Sequence, residues 1–134
     1  VPIDLMDQAL AEIARVLRPG GLAYVSEPVY AGDFNEVLRL FHDEREVREA
    51  AFAALQRAVA TGLLELDSQH FFQTRNEFAD FAEFEQRVVN VTHTHHDLSP
   101  ELYAKVRETF AQYQGPDGAR FLRPFRVDLL RRPG

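Results

Sequence analysis

A histidine-rich stretch in the second half of the chain carries the most chemically versatile side chains. It reads Thr92-His93-Thr94-His95-His96-Asp97. Imidazole can bind a metal ion or accept a proton near neutral pH. A zinc site needs three or four converging ligands, and no ligand from elsewhere can be assigned, so we predict no metal site. His93 and His95 are interpreted as structural or exposed residues, and the alternative is a substrate pocket or a general base.

Glu27 is a second candidate because of its position in the chain. It follows the short apolar run from Leu22 to Val25, which predicts a strand buried on both faces. In parallel α/β sheets, ligands bind at the carboxyl ends of the strands. We therefore expect Glu27 and Tyr30 to face a binding crevice, with Glu27 as a polar pocket residue. Alternatively, Glu27 caps the next helix or meets solvent.

A tight turn must position this strand. The apolar periodicity over residues 4–17 predicts a helix, and Pro19 cannot continue it. Gly20 and Gly21 supply backbone angles that other residues resist. Helix, turn and buried strand together form half of a parallel α/β unit.

About the first 28 residues resemble the late motif of class I S-adenosylmethionine-dependent methyltransferases. The similarity rests on the segment Ala9-Leu10-Ala11-Glu12-Ile13-Ala14-Arg15-Val16-Leu17-Arg18-Pro19-Gly20-Gly21 and on Tyr24-Val25-Ser26-Glu27-Pro28. The resemblance implies that the helix precedes the fifth strand of a seven-stranded sheet. The implied fold class is α/β: the C-terminal portion of a Rossmann-like methyltransferase fold, mostly helical with a few remaining strands.

The cofactor-binding signature of that family does not occur in this sequence. The chain has neither the Gly-rich loop after a first strand nor the acidic residue that ends the second strand. We therefore expect a single partial domain in three segments. These are the helix-turn-strand of the core (1–30), a helical cover over the substrate (31–97), and a last helix with a C-terminal strand or hairpin (98–134).

The first half of the predicted cover has a helical pattern. Asp33 opens the helix, and Gly62 is a natural stop signal. The apolar stripe of the helix begins with Phe34, Val37, Leu38 and Phe41. The nearly uninterrupted charges of residues 42–48 divide this stripe. We predict one long helix, or two helices with a break near 43–46.

The second half of the predicted cover begins as a loop over residues 67–73. Thr74 and Glu77 then form a capping box, which predicts a helix over 75–91. The apolar face of this helix is interpreted as core, and the alternative is that part of it lines a substrate pocket together with Phe71 and Phe72. The face consists of Phe78, Phe81, Phe84 and Val88.

The C-terminal segment predicts a helix and then a strand. Ser99 and Pro100 mark a helix start, and residues 119–131 alternate as a strand does. Arg126 and Asp128 share one face of this strand, opposite its apolar face. The resemblance implies that the strand is the antiparallel end of the methyltransferase sheet.

Composition limits the classes of partner. The 134-residue chain has a net charge of −6, which argues against nucleic acid, because phosphate binding needs a basic surface. It has no cysteine and therefore no disulfide or thiolate metal site. No apolar run approaches the roughly 20 residues of a membrane-spanning helix. We expect no membrane association and a cytoplasmic location.

Two functions follow as expectations. By resemblance, the chain is the C-terminal part of an enzyme that transfers a methyl group from S-adenosylmethionine to a small-molecule acceptor. Alone it should be inactive and bind no cofactor, and the catalytic residue is unassigned. The alternative is a non-catalytic helical module that self-associates or binds a partner. The strand at 22–26 would present an open edge, so we expect a homo-oligomer.

Overall fold

A computed structural model describes residues 1–90 and 98–134 of the chain. These residues divide into two compact units. The first comprises 1–29, 44–72 and 125–134, and the second comprises 30–43 and 73–124. The elements are, in order, a 3-10 turn (Ile3–Leu5), α1 (Met6–Val16), β1 (Leu22–Pro28), α2 (Asp33–Leu38), α3 (Arg45–Ala60), β2 (Glu65–Phe78), α4 (Phe81–Phe84), a π-helical turn (Glu85–Val89), α5 (Pro100–Ala111), β3 (Gln114–Gly115) and β4 (Gly118–Arg131).

The described strands form one open sheet in the order β1-β4-β2, and β3 pairs with the start of β4. β4 runs antiparallel to β1, in a register from Leu22 opposite Arg131 to Pro28 opposite Phe125. The predicted C-terminal strand is confirmed as a single strand that continues through Pro124. The mixed helix-and-sheet class is therefore confirmed, with antiparallel pairing of β1 and β4.

The first unit packs α1 and α3 together. Arg57 of α3 forms an exposed ion pair with Asp7 of α1, with Nη2 and Oδ1 3.1 Å apart. Such exposed pairs contribute little stability, so the apolar contacts hold the helices in place. The buried core of this unit consists of Met6, Leu10, Ala14, Ala54, Leu55, Ala58, Leu64 and Leu130.

The predicted turn forms after α1. Gly20 has a φ of +79°, a conformation that side chains disfavour, and its N–H donates to the carbonyl of Arg132 at 2.8 Å. The N–H of Arg132 in turn donates to the carbonyl of Gly21 at 2.9 Å. These two bonds fix the start of β1 beside the end of β4.

The second unit has an aromatic core. Phe84 is fully buried, and its ring centroid lies 5.2 Å from that of Phe78 and 5.1 Å from that of Phe110. Aromatic pairs at such distances stabilise beyond the area they bury. The remaining buried residues of this core are Phe34, Val37, Leu38, Val89, Val106, Ala119 and Phe121.

The predicted loop over 67–73 and the start of the helix predicted over 75–91 are wrong, because β2 occupies Glu65–Phe78. The later part of that prediction is confirmed, since residues 81–89 are helical. Thr74 does not cap a helix; its hydroxyl donates to the carbonyl of Arg123 on β4 at 3.0 Å. Pairing with a distant strand has overridden the local pattern. The real cap is Asp80, whose carboxylate accepts the Glu83 N–H at 2.9 Å.

The composition of β1 predicted a strand that is buried on both faces, and this prediction is wrong. Ala23 and Val25 are partly buried, whereas Leu22 and Tyr24 are 49% and 65% exposed. Within the first unit, the two helices bury residues on only one side of the strand.

Other local predictions are confirmed: α2 and α3 are separate helices, and the Ser99 hydroxyl accepts the N–H of Leu102 at the start of α5.

Candidate functional site

The first unit contains a cavity of about 170 Å³ beside the carboxyl end of β1. Residues of α1, β1, α3 and β4 line it. Three of its lining side chains are charged: Glu27, Arg48 and Arg126. Its apolar walls include Met6, Leu10, Ile13, Val25, Val47 and Leu55.

Glu27 is placed in the wall of this cavity by the end of β1. Arg48, on the first turn of α3, donates from Nη1 to Glu27 Oε2 at 2.7 Å. Arg48 also donates from Nη2 to Glu44, just before the helix. The side chains of Glu27 and Arg48 are both more than two-thirds buried, so this pair is better shielded from water than a surface ion pair.

Arg126 and Asp128 form a second charged pair, on β4. Arg126 Nε donates to Asp128 Oδ2 at 2.7 Å, and Gln69 Nε2 donates to Asp128 Oδ1 at 2.8 Å. The guanidinium carbon of Arg126 lies 4.3 Å from the ring centroid of Phe52. Asp128 is fully buried, so its charge depends on these two partners for compensation.

Sequence reasoning placed Arg126 and Asp128 on one strand face but did not assign them to a site. Their opposite charges at a spacing of two residues, which puts both side chains on one face of a strand, are the signal that could have indicated a pair. Arg48 was missed as well. Its partner Glu27 lies 21 positions away in the chain, and local patterns do not report such a contact.

The other predicted site residues fall elsewhere. Tyr30 follows β1, is partly exposed and belongs to the second unit. His93 and His95 lie outside the described residues. Among residues 1–90 and 98–134, no cluster of His, Asp or Glu has the arrangement of a metal site. None of the helices in those ranges combines the length and apolar character needed to cross a membrane.

Comparison with known proteins gives no assignment. No protein-family model matches the chain, and no curated protein matches it.

Proposed function

We propose that this chain is the C-terminal part of an S-adenosylmethionine-dependent methyltransferase, to which it contributes the fifth strand and the substrate-covering helices. The observation that carries the proposal is the position of Glu27. This residue ends the strand of the methyltransferase-like motif and lines an apolar cavity. In the parallel α/β sheet that the resemblance implies, ligands bind at that end of a strand.

The arrangement of β1 and β4 supports the same proposal. The resemblance implies that the last strand is the antiparallel end of the methyltransferase sheet. β4 runs antiparallel to β1 over all seven residues of β1. The helix, turn and strand of residues 6–28 also occur in the order that the motif implies.

The cavity does not fit the cofactor. Its volume of about 170 Å³ is close to the ~150 Å³ of a cavity that holds benzene, whereas S-adenosylmethionine carries a whole nucleoside. The sequence also has no Gly-rich loop to hold the cofactor. We therefore propose that residues outside this chain bind the cofactor. We also propose that the enzyme is cytoplasmic, that its methyl acceptor is a small molecule, and that it binds neither nucleic acid nor a membrane. The residues that line the cavity in this chain contribute by positioning the acceptor.

The coding region that precedes Val1 tests this proposal. We expect it to encode a strand followed by a Gly-x-Gly-x-Gly loop, in the same reading frame. A region that encodes no such pattern would overturn the assignment. This test is independent of any ligand of the cavity.

A self-associating module is the second candidate, favoured by the edge of β1. Among the described strands β1 pairs only with β4, so its other edge is open. Leu22 and Tyr24 add exposed apolar surface beside that edge. Open edges pair readily with other chains, so we propose a homo-oligomer formed through β1. Sedimentation at micromolar concentration tests this, and a monomer would contradict it.

A further inference from the structure

We propose that the cavity beside Glu27 binds a small apolar molecule whose head group is neutral and carries adjacent hydrogen-bond donors and acceptors, as a primary carboxamide does. The inference rests on the side chains of the first unit alone. It does not depend on the methyltransferase proposal, because the cavity and its charged groups belong to this chain whatever the rest of the protein does.

Arg126 supplies the donors. Its Nε–H donates to Asp128, and its guanidinium carbon lies 4.3 Å from the ring centroid of Phe52. Nη1 and Nη2 have no hydrogen-bond partner among residues 1–90 and 98–134. Every described side-chain nitrogen or oxygen that is sealed from solvent does have a partner. The free nitrogens are therefore not completely sealed from solvent, although Arg126 as a whole is buried, and Arg126 lines the cavity. A ligand carbonyl can accept from this fixed guanidinium.

Glu27 supplies the acceptor. Its Oε2 accepts from Arg48, whereas Oε1 has no hydrogen-bond partner in the part of the chain that the structure describes. Glu27 stands directly opposite Arg126 in the pairing of β1 and β4. Side chains at opposed positions of an antiparallel pair extend from the same face, with Cβ atoms about 5 Å apart. One head group can therefore reach both.

The balance of charge favours a neutral head group. A ligand carboxylate would accept from Arg126 but would meet the carboxylate of Glu27. A ligand ammonium would pair with Glu27. It would give the Arg126 donors no acceptor, however, and the positive charge of Arg126 would repel it. A primary amide satisfies both, with its carbonyl on Arg126 and its N–H on Glu27, and ligands that leave buried polar groups unpaired bind less well.

The walls and the volume define the rest of the ligand. The cavity surface away from the three charged residues is aliphatic, and its size suits one six-membered ring. Benzamide is therefore the probe, and benzoate, benzylamine and toluene are its matched analogues. Each analogue keeps the ring and changes only the head group.

The experiment measures the affinity of these four compounds for the chain by NMR titration, with the amino terminus acetylated because Val1 also lines the cavity. We expect benzamide to bind about tenfold or more tightly than the other three. Glu27→Gln should raise the affinity for benzoate about tenfold, because it removes the opposing charge. Glu12→Gln, on an exposed residue of α1 outside the cavity, should leave the affinities of all four compounds unchanged.

Three outcomes would overturn the inference. The first is no benzamide binding at millimolar concentration. The second is equal or tighter binding of benzoate, benzylamine or toluene. The third is a preference for benzamide over benzoate that Glu27→Gln leaves unchanged.

Discussion

Glu27 and Arg126 stand directly opposite each other on β1 and β4, yet each is ion-paired with a different residue. Glu27 accepts from Arg48 at 2.7 Å, and Arg126 donates to Asp128 at 2.7 Å. The polar end of the cavity is therefore built from two separate pairs. Within residues 1–90 and 98–134, Oε1 of Glu27 and both Nη atoms of Arg126 remain available to a ligand.

Removal of Arg126 should destabilise the protein strongly. Among the described residues, Arg126→Met leaves the fully buried charge of Asp128 with Gln69 as its one partner. Breaking a buried pair in this way costs about 3–5 kcal/mol. Urea denaturation followed by circular dichroism measures the free energy of unfolding. The double variant Arg126→Met/Asp128→Leu should recover most of the loss. A single variant that loses less than about 1 kcal/mol would contradict the role of the pair.

Oligomer formation should depend on Tyr24. A lysine on an exposed edge strand opposes pairing with another chain, so Tyr24→Lys should shift the sedimentation of the chain toward a monomer. Val16→Lys is the matched control, because Val16 is 67% exposed and lies at the end of α1. The control should sediment as the original chain does. If both variants sediment alike, β1 is not the interface between the copies.

Phe84 should be a major source of stability in the second unit. Phe84→Ala removes a fully buried ring from the aromatic core and should lower the free energy of unfolding by about 3–5 kcal/mol. Phe71→Ala removes a ring that is mostly exposed and should change this free energy by less than about 1 kcal/mol. Similar losses in both variants would contradict the described packing.

Glu83 should stabilise the start of α4 only while it is ionised. The Ala79 N–H, which donates at 2.9 Å, and Arg87 hold the pKa of Glu83 below its ordinary value of 4.5. This contribution is fully present above pH 4.5 and disappears as the pH falls through the lower pKa of the folded state. NMR titration of the Glu83 carboxyl measures this pKa. Arg87→Gln should raise it part of the way, and a pKa at or above 4.5 in the original chain would contradict the two contacts.

Local chemistry made part of the fold predictable. Pro19, Gly20 and Gly21 end a helix and open a strand by their own backbone preferences, and Ser99 caps a helix three residues from its partner. None of these features depends on a distant contact.

The remaining features depend on contacts between distant residues. Thr74 looks like a helix cap until β4 brings the carbonyl of Arg123 within reach of its hydroxyl. The pairing of Arg48 with Glu27 requires α3 to pack beside β1. The exposure of Tyr24 depends on which face of the sheet the helices cover, and strand composition alone does not determine this.

Calorimetric titration with S-adenosylhomocysteine tests the central claim most directly, with two proteins compared. One is the present chain, and the other is the chain together with the segment encoded before Val1. The proposed function predicts micromolar binding to the longer protein and none to the present chain. Micromolar binding to the present chain, or binding to neither protein, would contradict the assignment of this chain as the C-terminal part of a methyltransferase.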